Sequence, residues 1–80
     1  MSIHDLLSLE GYEQLPKWDR WQLIDQIDEH TDTLQRKFLP NVKPGGEASQ
    51  RIVDQITSLR RKRVQIWFSF NPHAPIKTAA

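Results

Sequence analysis

The sequence predicts an all-α fold, a long antiparallel helical hairpin with a short N-terminal helix at its aromatic end. Two stretches lack a helix breaker, about 16–38 and 47–69, and segment 39–46 between them holds two prolines and two glycines. Apolar residues in both stretches recur in steps of three and four, which places them on one helix face. Because the connection is short, the helices should run antiparallel. The 80 residues form one domain with three parts, an N-terminal helical segment (1–15), the hairpin (16–69) and a mobile tail (70–80).

The N-terminal segment starts with a helix signal. Ser2 and Asp5 have the spacing of a capping box, so a short helix is expected from about Ile3 to Leu9. Gly11 and Pro16 then interrupt the chain. Pro16 suits the first position of the next helix, where no amide N–H is needed.

The apolar stripes of the two long helices match each other. The stripe residues are Ile24, Ile27, Thr31, Leu34 and Phe38 in the first, and Ile52, Ile56, Leu59, Arg63, Ile66 and Phe70 in the second. Folding the chain about residue 43 places Ile27 opposite Leu59, and this shared register favours a hairpin. A long hairpin has few ways to bury its second face, so a homodimer that completes a four-helix bundle is a further expectation.

The composition argues against a disulfide-bonded protein, a thiolate metal site and a membrane-spanning protein. The chain has no cysteine, so it can form neither a disulfide nor a thiolate metal site, and this is compatible with a reducing cytoplasm. Mean hydropathy is −0.63, and no apolar run suits a membrane span or a signal peptide. We therefore expect a cytoplasmic protein, in the host cytoplasm if it is viral, without a membrane partner.

Charge is divided unevenly along the chain. Residues 1–32 contain eight acidic and two basic residues, whereas residues 33–80 contain two acidic and nine basic residues. Four consecutive cations, Arg60 to Arg63, directly precede the sequence V-Q-I-W-F-S-F. The hairpin register places them beside Asp25 and Asp28, which should match part of the run. Since adjacent residues on a helix point in different directions, about two of the four cations should face the acids and the others solvent.

Aromatic residues gather at the end of the hairpin far from the connection, namely Trp18, Trp21, Trp67, Phe68 and Phe70. Two helices cannot bury them all, and the N-terminal segment is placed to pack there through Leu6, Leu7, Leu9, Tyr12 and Leu15. One interpretation is a small aromatic core that closes a three-helix unit. The other is that some rings stay exposed as anchors for a partner, because Trp and Arg are enriched at binding hot spots.

Two short stretches resemble known families. V-Q-I-W-F at 64–68 resembles the V-K-I-W-F of a homeodomain recognition helix, but the base-reading asparagine of that family would fall at Phe70. D-E-H-T-D-T-L-Q-R at 28–36 resembles part of the Rop-type plasmid hairpins, which dimerise and bind RNA. Alternate residues match, and the resemblance implies a hairpin by analogy.

No residue set predicts catalysis, a metal site or a cofactor. His4, His30 and His73 lack a histidine or glutamate three or four residues away on the same helix. Gly45-Gly46 lacks the lysine and hydroxyl residue of a phosphate-binding loop. We therefore expect a protein that is not an enzyme and uses no cofactor.

Two binding functions remain. The first is a small protein-binding module, an inhibitor or adaptor of a larger protein or complex, of the kind that phages and plasmids encode. Its partner-binding residues would be Arg60, Arg61, Lys62, Trp67, Phe68 and Phe70. The alternative is a nucleic-acid-binding hairpin that uses Lys43, Arg60, Arg61, Lys62 and Arg63.

Overall fold

The computed structural model describes residues 1–70, and this part of the chain is helical without strands. Three α-helices pack together, α1 (Ile3–Leu7), α2 (Lys17–Thr33) and α3 (Glu47–Ser69). The remaining elements are a 3-10 turn (Tyr12–Gln14), a π-helical segment (Leu34–Phe38) and a second 3-10 turn (Leu39–Asn41). Apart from Phe70, the tail expected at 70–80 lies outside the described residues.

Helix α1 is shorter than expected. The Ser2 hydroxyl accepts a hydrogen bond from the amide of Asp5 at 3.1 Å, so one half of the predicted capping box is present. The helix ends at Leu7 instead of Leu9. The Ser8 hydroxyl donates to a carbonyl oxygen of the helix 2.7 Å away, and this kind of local bond competes with helix continuation.

Helix α2 departs from the prediction at both ends. Pro16 is the residue before the helix, with ψ at 156°, so the first helical residue is Lys17. After Thr33 the helix widens into the π-helical segment, where a turn contains more residues than in an α-helix. The spacing that predicted a core position for Phe38 therefore no longer applies, and Phe38 is 53% exposed.

Helix α3 spans the residues expected from the sequence, Glu47–Ser69. Gly45 turns the chain into it with φ at +80°, a left-handed conformation that favours glycine. Gly46 precedes the helix, and its amide donates to the carbonyl oxygen of Lys43 at 3.1 Å.

The core lies where the three helices meet. Helices α2 and α3 run in opposite directions, because Arg20 contacts Ser69 near one end of the pair and Asp28 contacts Arg63 further along. Helix α1 packs against both. The buried apolar residues are Leu6, Leu23, Ile24, Ile27, Leu34, Ile56, Leu59 and Ile66. Burial of these side chains is the main favourable contribution to folding.

The N-terminal segment covers one side of the α2–α3 layer. The Met1 amino group donates to Gln26 at 2.7 Å, and the Met1 carbonyl oxygen lies 2.8 Å from a ring nitrogen of His30. Gln26 and His30 are four residues apart and share a helix face. On α3 the segment contacts Lys62, whose ammonium group donates a hydrogen bond to the carbonyl oxygen of Leu9 at 3.0 Å. Lys62 therefore lies on the covered side of α3. None of the helices in residues 1–70 is long and apolar enough to cross a membrane.

Candidate interaction surface

The four consecutive cations divide into two pairs. Arg63 donates to an Asp28 carboxylate oxygen at 2.8 Å, and Lys62 holds the carbonyl oxygen of Leu9. Arg60 and Arg61 are exposed, and neither has a hydrogen-bond or ion-pair partner within residues 1–70. Only one of the four therefore pairs with an acid of α2. Two others remain available for a ligand.

The Arg63–Asp28 pair is partly exposed on both sides, with side chains at 40% and 51% accessibility. Solvent screening limits such a pair to about 1 kcal/mol or less. Its main consequence is geometric, because it fixes one side of α3 against one side of α2. Asp25 and Glu29 are also exposed on α2, and within the described part of the chain neither forms an ion pair.

Lys62 joins α3 to the N-terminal segment at two points. Besides its bond to Leu9, its ammonium nitrogen lies 5.8 Å from the centroid of the Tyr12 ring. Burial raises the pKa of the Tyr12 phenol, and the negative charge of Glu13 raises it further. Lys62 therefore serves the fold, although the sequence placed it in both candidate binding sets.

Three aromatic rings form a cluster at the open end of the α2–α3 pair. The Trp21 ring centroid lies 5.4 Å from that of Trp67 in an edge-on arrangement and 4.9 Å from that of Phe70. The Arg20 guanidinium lies 4.8 Å from the centroid of the Phe70 ring on another side. Phe70 is thus part of the packed structure. Trp21 and Trp67 still expose 40% and 47% of their surface.

Two other aromatic residues lie apart from this cluster. Trp18 is 79% exposed and Phe68 is 41% exposed. Neither has a ring partner among residues 1–70. The sequence placed both at the aromatic end of the hairpin, with Phe68 off the apolar stripe of its helix, and both are exposed. Of the two, Phe68 lies on α3, about two turns beyond the unpaired arginines.

A shallow depression on α3 brings cationic and apolar groups together. It is lined by Thr57, Arg60, Arg61, Val64 and Gln65. Phe68 follows Val64 by four residues and Gln65 by three, which places it on the same helix face one turn beyond the residues that line the depression. We call these six residues the outer surface of α3. Val64 and Phe68 are both among the exposed large apolar residues of the chain.

The nucleic-acid set predicted from the sequence is not brought together. Lys43 lies in the connection before α3, and Arg60 is 13 residues into the helix, a distance of about 20 Å along its axis. Lys62 and Arg63 bind protein groups. The cations left to meet phosphate in one place are Arg60 and Arg61.

Arg20 was not singled out from the sequence, although it connects α2 to the end of α3. A signal was present, because Arg20 precedes Ile24 by four residues and Ile27 by seven and so occupies a position of the apolar stripe. A charged residue on such a stripe indicates a side chain with a specific partner. For Arg20 the partner is the last turn of α3.

Comparison of the chain with protein-family models, with curated proteins and with solved structures finds no match. Residues 1–70 also contain no group of three or more His, Asp or Glu side chains placed to hold a metal ion. Function is therefore inferred from the surface of the molecule.

Proposed function

We propose that the chain is a small protein-binding helical module in which α2 and α3 form a hairpin scaffold. The outer surface of α3 is its binding site for a larger protein or complex. One observation carries the proposal: Phe68 exposes a large apolar ring on the outward face of α3, about two turns beyond Arg60 and Arg61, which have no partner within residues 1–70. The fold uses none of these three side chains for its own core.

The chemistry of this surface suits a partner with acidic groups around an apolar pocket. Phe68 is 41% exposed, so burial of the remaining surface by a partner would contribute about 1 kcal/mol to the binding free energy. Arginine and aromatic residues are the types most enriched at binding hot spots. The two charges would also select against partners with a basic surface.

A module of this kind acts by occupying a surface on its partner, as an inhibitor or an adaptor does. Its size suits the small accessory proteins that phages and plasmids encode, and its composition is compatible with the cytoplasm. The hairpin presents α3 on a rigid scaffold, which limits the ordering cost of binding.

The test is capture of partners from source-cell lysate with the tagged protein and with two alanine variants, Phe68→Ala and Trp18→Ala. Trp18 is the matched control, since it is an exposed aromatic residue on a different helix. Circular dichroism confirms that both variants keep their helicity. We expect a stoichiometric protein partner that is lost with Phe68→Ala and kept with Trp18→Ala. Equal capture by the unmodified chain and Phe68→Ala would refute the proposed site.

A second candidate is binding of nucleic acid through Arg60 and Arg61 with Phe68 stacked on a base. The observation in its favour is that the two cations line one depression on α3 and that Phe68 follows on the same helix face. If the chain binds nucleic acid, material captured from the lysate should be lost on nuclease treatment, and the affinity should fall steeply as the salt concentration is raised. The double variant Arg60→Gln/Arg61→Gln should then reduce the dependence of affinity on salt.

A further inference from the structure

A second surface of the molecule lies opposite the N-terminal segment. Two contacts define it, Trp21 with Trp67 and Asp28 with Arg63, and each joins α2 to α3. Trp21 and Asp28 are seven residues apart and so share one face of α2. The N-terminal segment instead contacts α2 at Gln26 and His30, on the other side of the layer. This second surface therefore has no cover within residues 1–70.

The uncovered side has its own heptad pattern. On α3 the steps of four and three run through Val53, Thr57, Arg60, Val64 and Trp67. On α2 they run through Trp21, Asp25, Asp28, Asp32 and Gln35, the last in the π-helical segment. We call these ten residues the open face. Large apolar side chains on it are each at least 40% exposed, namely Trp21, Val53, Val64 and Trp67.

We infer that the open face is the interface of a homodimer, in which α2 of each protomer packs over α3 of the other. The open face overlaps half of the proposed partner site, and Arg61, Gln65 and Phe68 of that site lie outside the open face. The two surfaces share Arg60 and Val64 at their border and Thr57 beside them. A dimer would present two copies of the part of the outer surface that Arg61, Gln65 and Phe68 form.

The charges of the open face are complementary to those of a second copy of the same chain, so we expect a second copy to cover this face. The stripe on α2 carries three acids, of which Asp28 and Asp32 also pair with Arg63 and Arg36 of the same protomer. The stripe on α3 carries no acid, and its Arg60 has no ion-pair partner within residues 1–70. A two-fold axis parallel to the helices places α2 over the partner's α3 with the same antiparallel pairing as inside the protomer. The pairs Asp28–Arg63 and Trp21–Trp67 set that register, which brings Asp28 near the partner's Arg60. The tryptophans of both protomers then meet at one end.

The alternative axis, perpendicular to the helices, is unfavourable. It would place α2 over the partner's α2 in antiparallel orientation, so Asp25, Asp28 and Asp32 would face the same three acids. Like charges opposed in this way are destabilising. Trp21 would then face the π-helical end of the partner's helix instead of an aromatic ring. The charges therefore favour the dimer whose two-fold axis is parallel to the helices.

The size of the open face is sufficient for a dimer. Helix α3 has 23 residues and is about 34 Å long, and two adjacent helices are about 20 Å wide. The projected area is thus about 700 Å², close to the 800 Å² per partner that a standard stable interface buries. The area is the same in both protomers, as a two-fold interface requires.

Charge reversal tests the arrangement with the full chain. We choose Arg60→Glu and Asp32→Lys, because Asp32 lies one turn from Asp28 and its replacement leaves the Asp28–Arg63 pair intact. Within the protomer it removes the exposed pair between Asp32 and Arg36, which contributes little to stability. Sedimentation equilibrium gives the dimer dissociation constant of each chain, and circular dichroism verifies folding. We expect each variant to weaken its own dimer at least about tenfold, since both interfaces of a two-fold dimer are affected.

An equimolar mixture of the two variants is the decisive sample. In the mixed dimer one α2–α3 contact has the natural charges and the other has both charges reversed, so dimerisation should return to within about threefold of the unmodified chain. Arg61→Glu is the matched control, because it makes the same charge change on the neighbouring residue outside the open face. It should dimerise like the unmodified chain.

Three outcomes would overturn the inference. One is an unmodified chain that remains monomeric at about 100 µM. Another is an Arg61→Glu variant that loses dimerisation as strongly as Arg60→Glu. The third is a mixture of two folded variants that stays monomeric. Partner capture through Phe68 is measured separately, so failure of the dimer and failure of the proposed function are distinguishable.

Discussion

The guanidinium of Arg20 donates a hydrogen bond to the backbone carbonyl oxygen of Ser69, 2.8 Å away. Ser69 is the last residue of α3, where carbonyl oxygens lack partners inside the helix and the helix dipole favours a cation. The same guanidinium nitrogen donates to the Ser69 hydroxyl at 3.1 Å, and the guanidinium group lies over Phe70. One side chain of α2 thus completes the end of α3.

Replacement of Arg20 by methionine should destabilise the fold. The variant keeps an unbranched stem beside Phe70 but loses the donor to Ser69, for a cost of about 1–3 kcal/mol. The Arg20 Nε is buried without a partner among residues 1–70, which reduces the benefit of the natural residue. Urea unfolding followed by circular dichroism measures the difference. Lys17→Met, at an exposed position of the same helix, should change stability by much less, and equal losses would contradict the assigned role.

Core packing predicts a contrast between two identical substitutions. Ile27 is completely buried, so Ile27→Val should reduce the free energy of unfolding by about 0.5–1.5 kcal/mol. Ile3 is only partly buried against the same core, and Ile3→Val should cost less. Thermal unfolding of both variants makes the comparison. A larger loss at Ile3 would mean that the core is centred closer to α1 than the burial pattern indicates.

The Lys62 contact predicts a local change in protection. Lys62→Met removes the donor to Leu9 while the stem remains, so residues 1–15 should open more easily while α2 and α3 stay helical. Loss of about 1 kcal/mol corresponds to amide exchange about five times faster in that segment. Hydrogen-exchange mass spectrometry resolves the segments. Arg61→Met serves as the control, and unchanged exchange in Lys62→Met would show that the contact does not hold the segment.

The phenol of Tyr12 should ionise above its ordinary pKa of 10.0, first because of burial and second because of Glu13. The chain has one tyrosine, so ultraviolet difference absorbance reports it directly. The midpoint in the native protein should exceed that in urea. The unfolded chain loses its proton first, so this stabilisation is complete below the unfolded pKa and is lost as pH rises through the folded one.

Glu13→Gln provides the control for that titration. It should lower the native midpoint only in part, because burial, the larger cause, remains. Coincident midpoints in native and unfolded protein would contradict the packing of Tyr12 against the core.

The sequence predicted α3 well and the end of α2 poorly, for physical reasons. Gly45 and Gly46 before α3 and Pro72 after it are strong helix breakers, so both ends were marked. The π-helical segment has no such marker, since Leu34 and Phe38 have the four-residue spacing of an ordinary helix. In this segment the backbone hydrogen bonds increase the number of residues per turn, whereas the spacing of apolar residues in the sequence stays that of an α-helix. Phe38 was therefore placed wrongly in the core stripe.

The candidate site was predictable only in outline. Four adjacent cations had to diverge around α3, and this placed some of them in solvent. The particular role of Lys62 required knowledge of where Leu9 lies, a contact between residues 53 positions apart. The exposure of Trp18 likewise depends on how α1 and the turn after it pack. Long-range packing of the N-terminal segment was thus the information that the pattern lacked.

The attachment of α1 to α3 has a consequence for synthesis on the ribosome. Translation proceeds at about 5–20 residues per second, so the 53 residues between Leu9 and Lys62 take about 3–10 seconds to add. During that interval Leu6, which is fully buried in the folded chain, has no α3 to pack against. Helices α2 and α3 are joined by a short connection and can pair as soon as both exist. The N-terminal segment can therefore contact α2 early, but its contacts with α3 form only after nearly all of the described chain has been made.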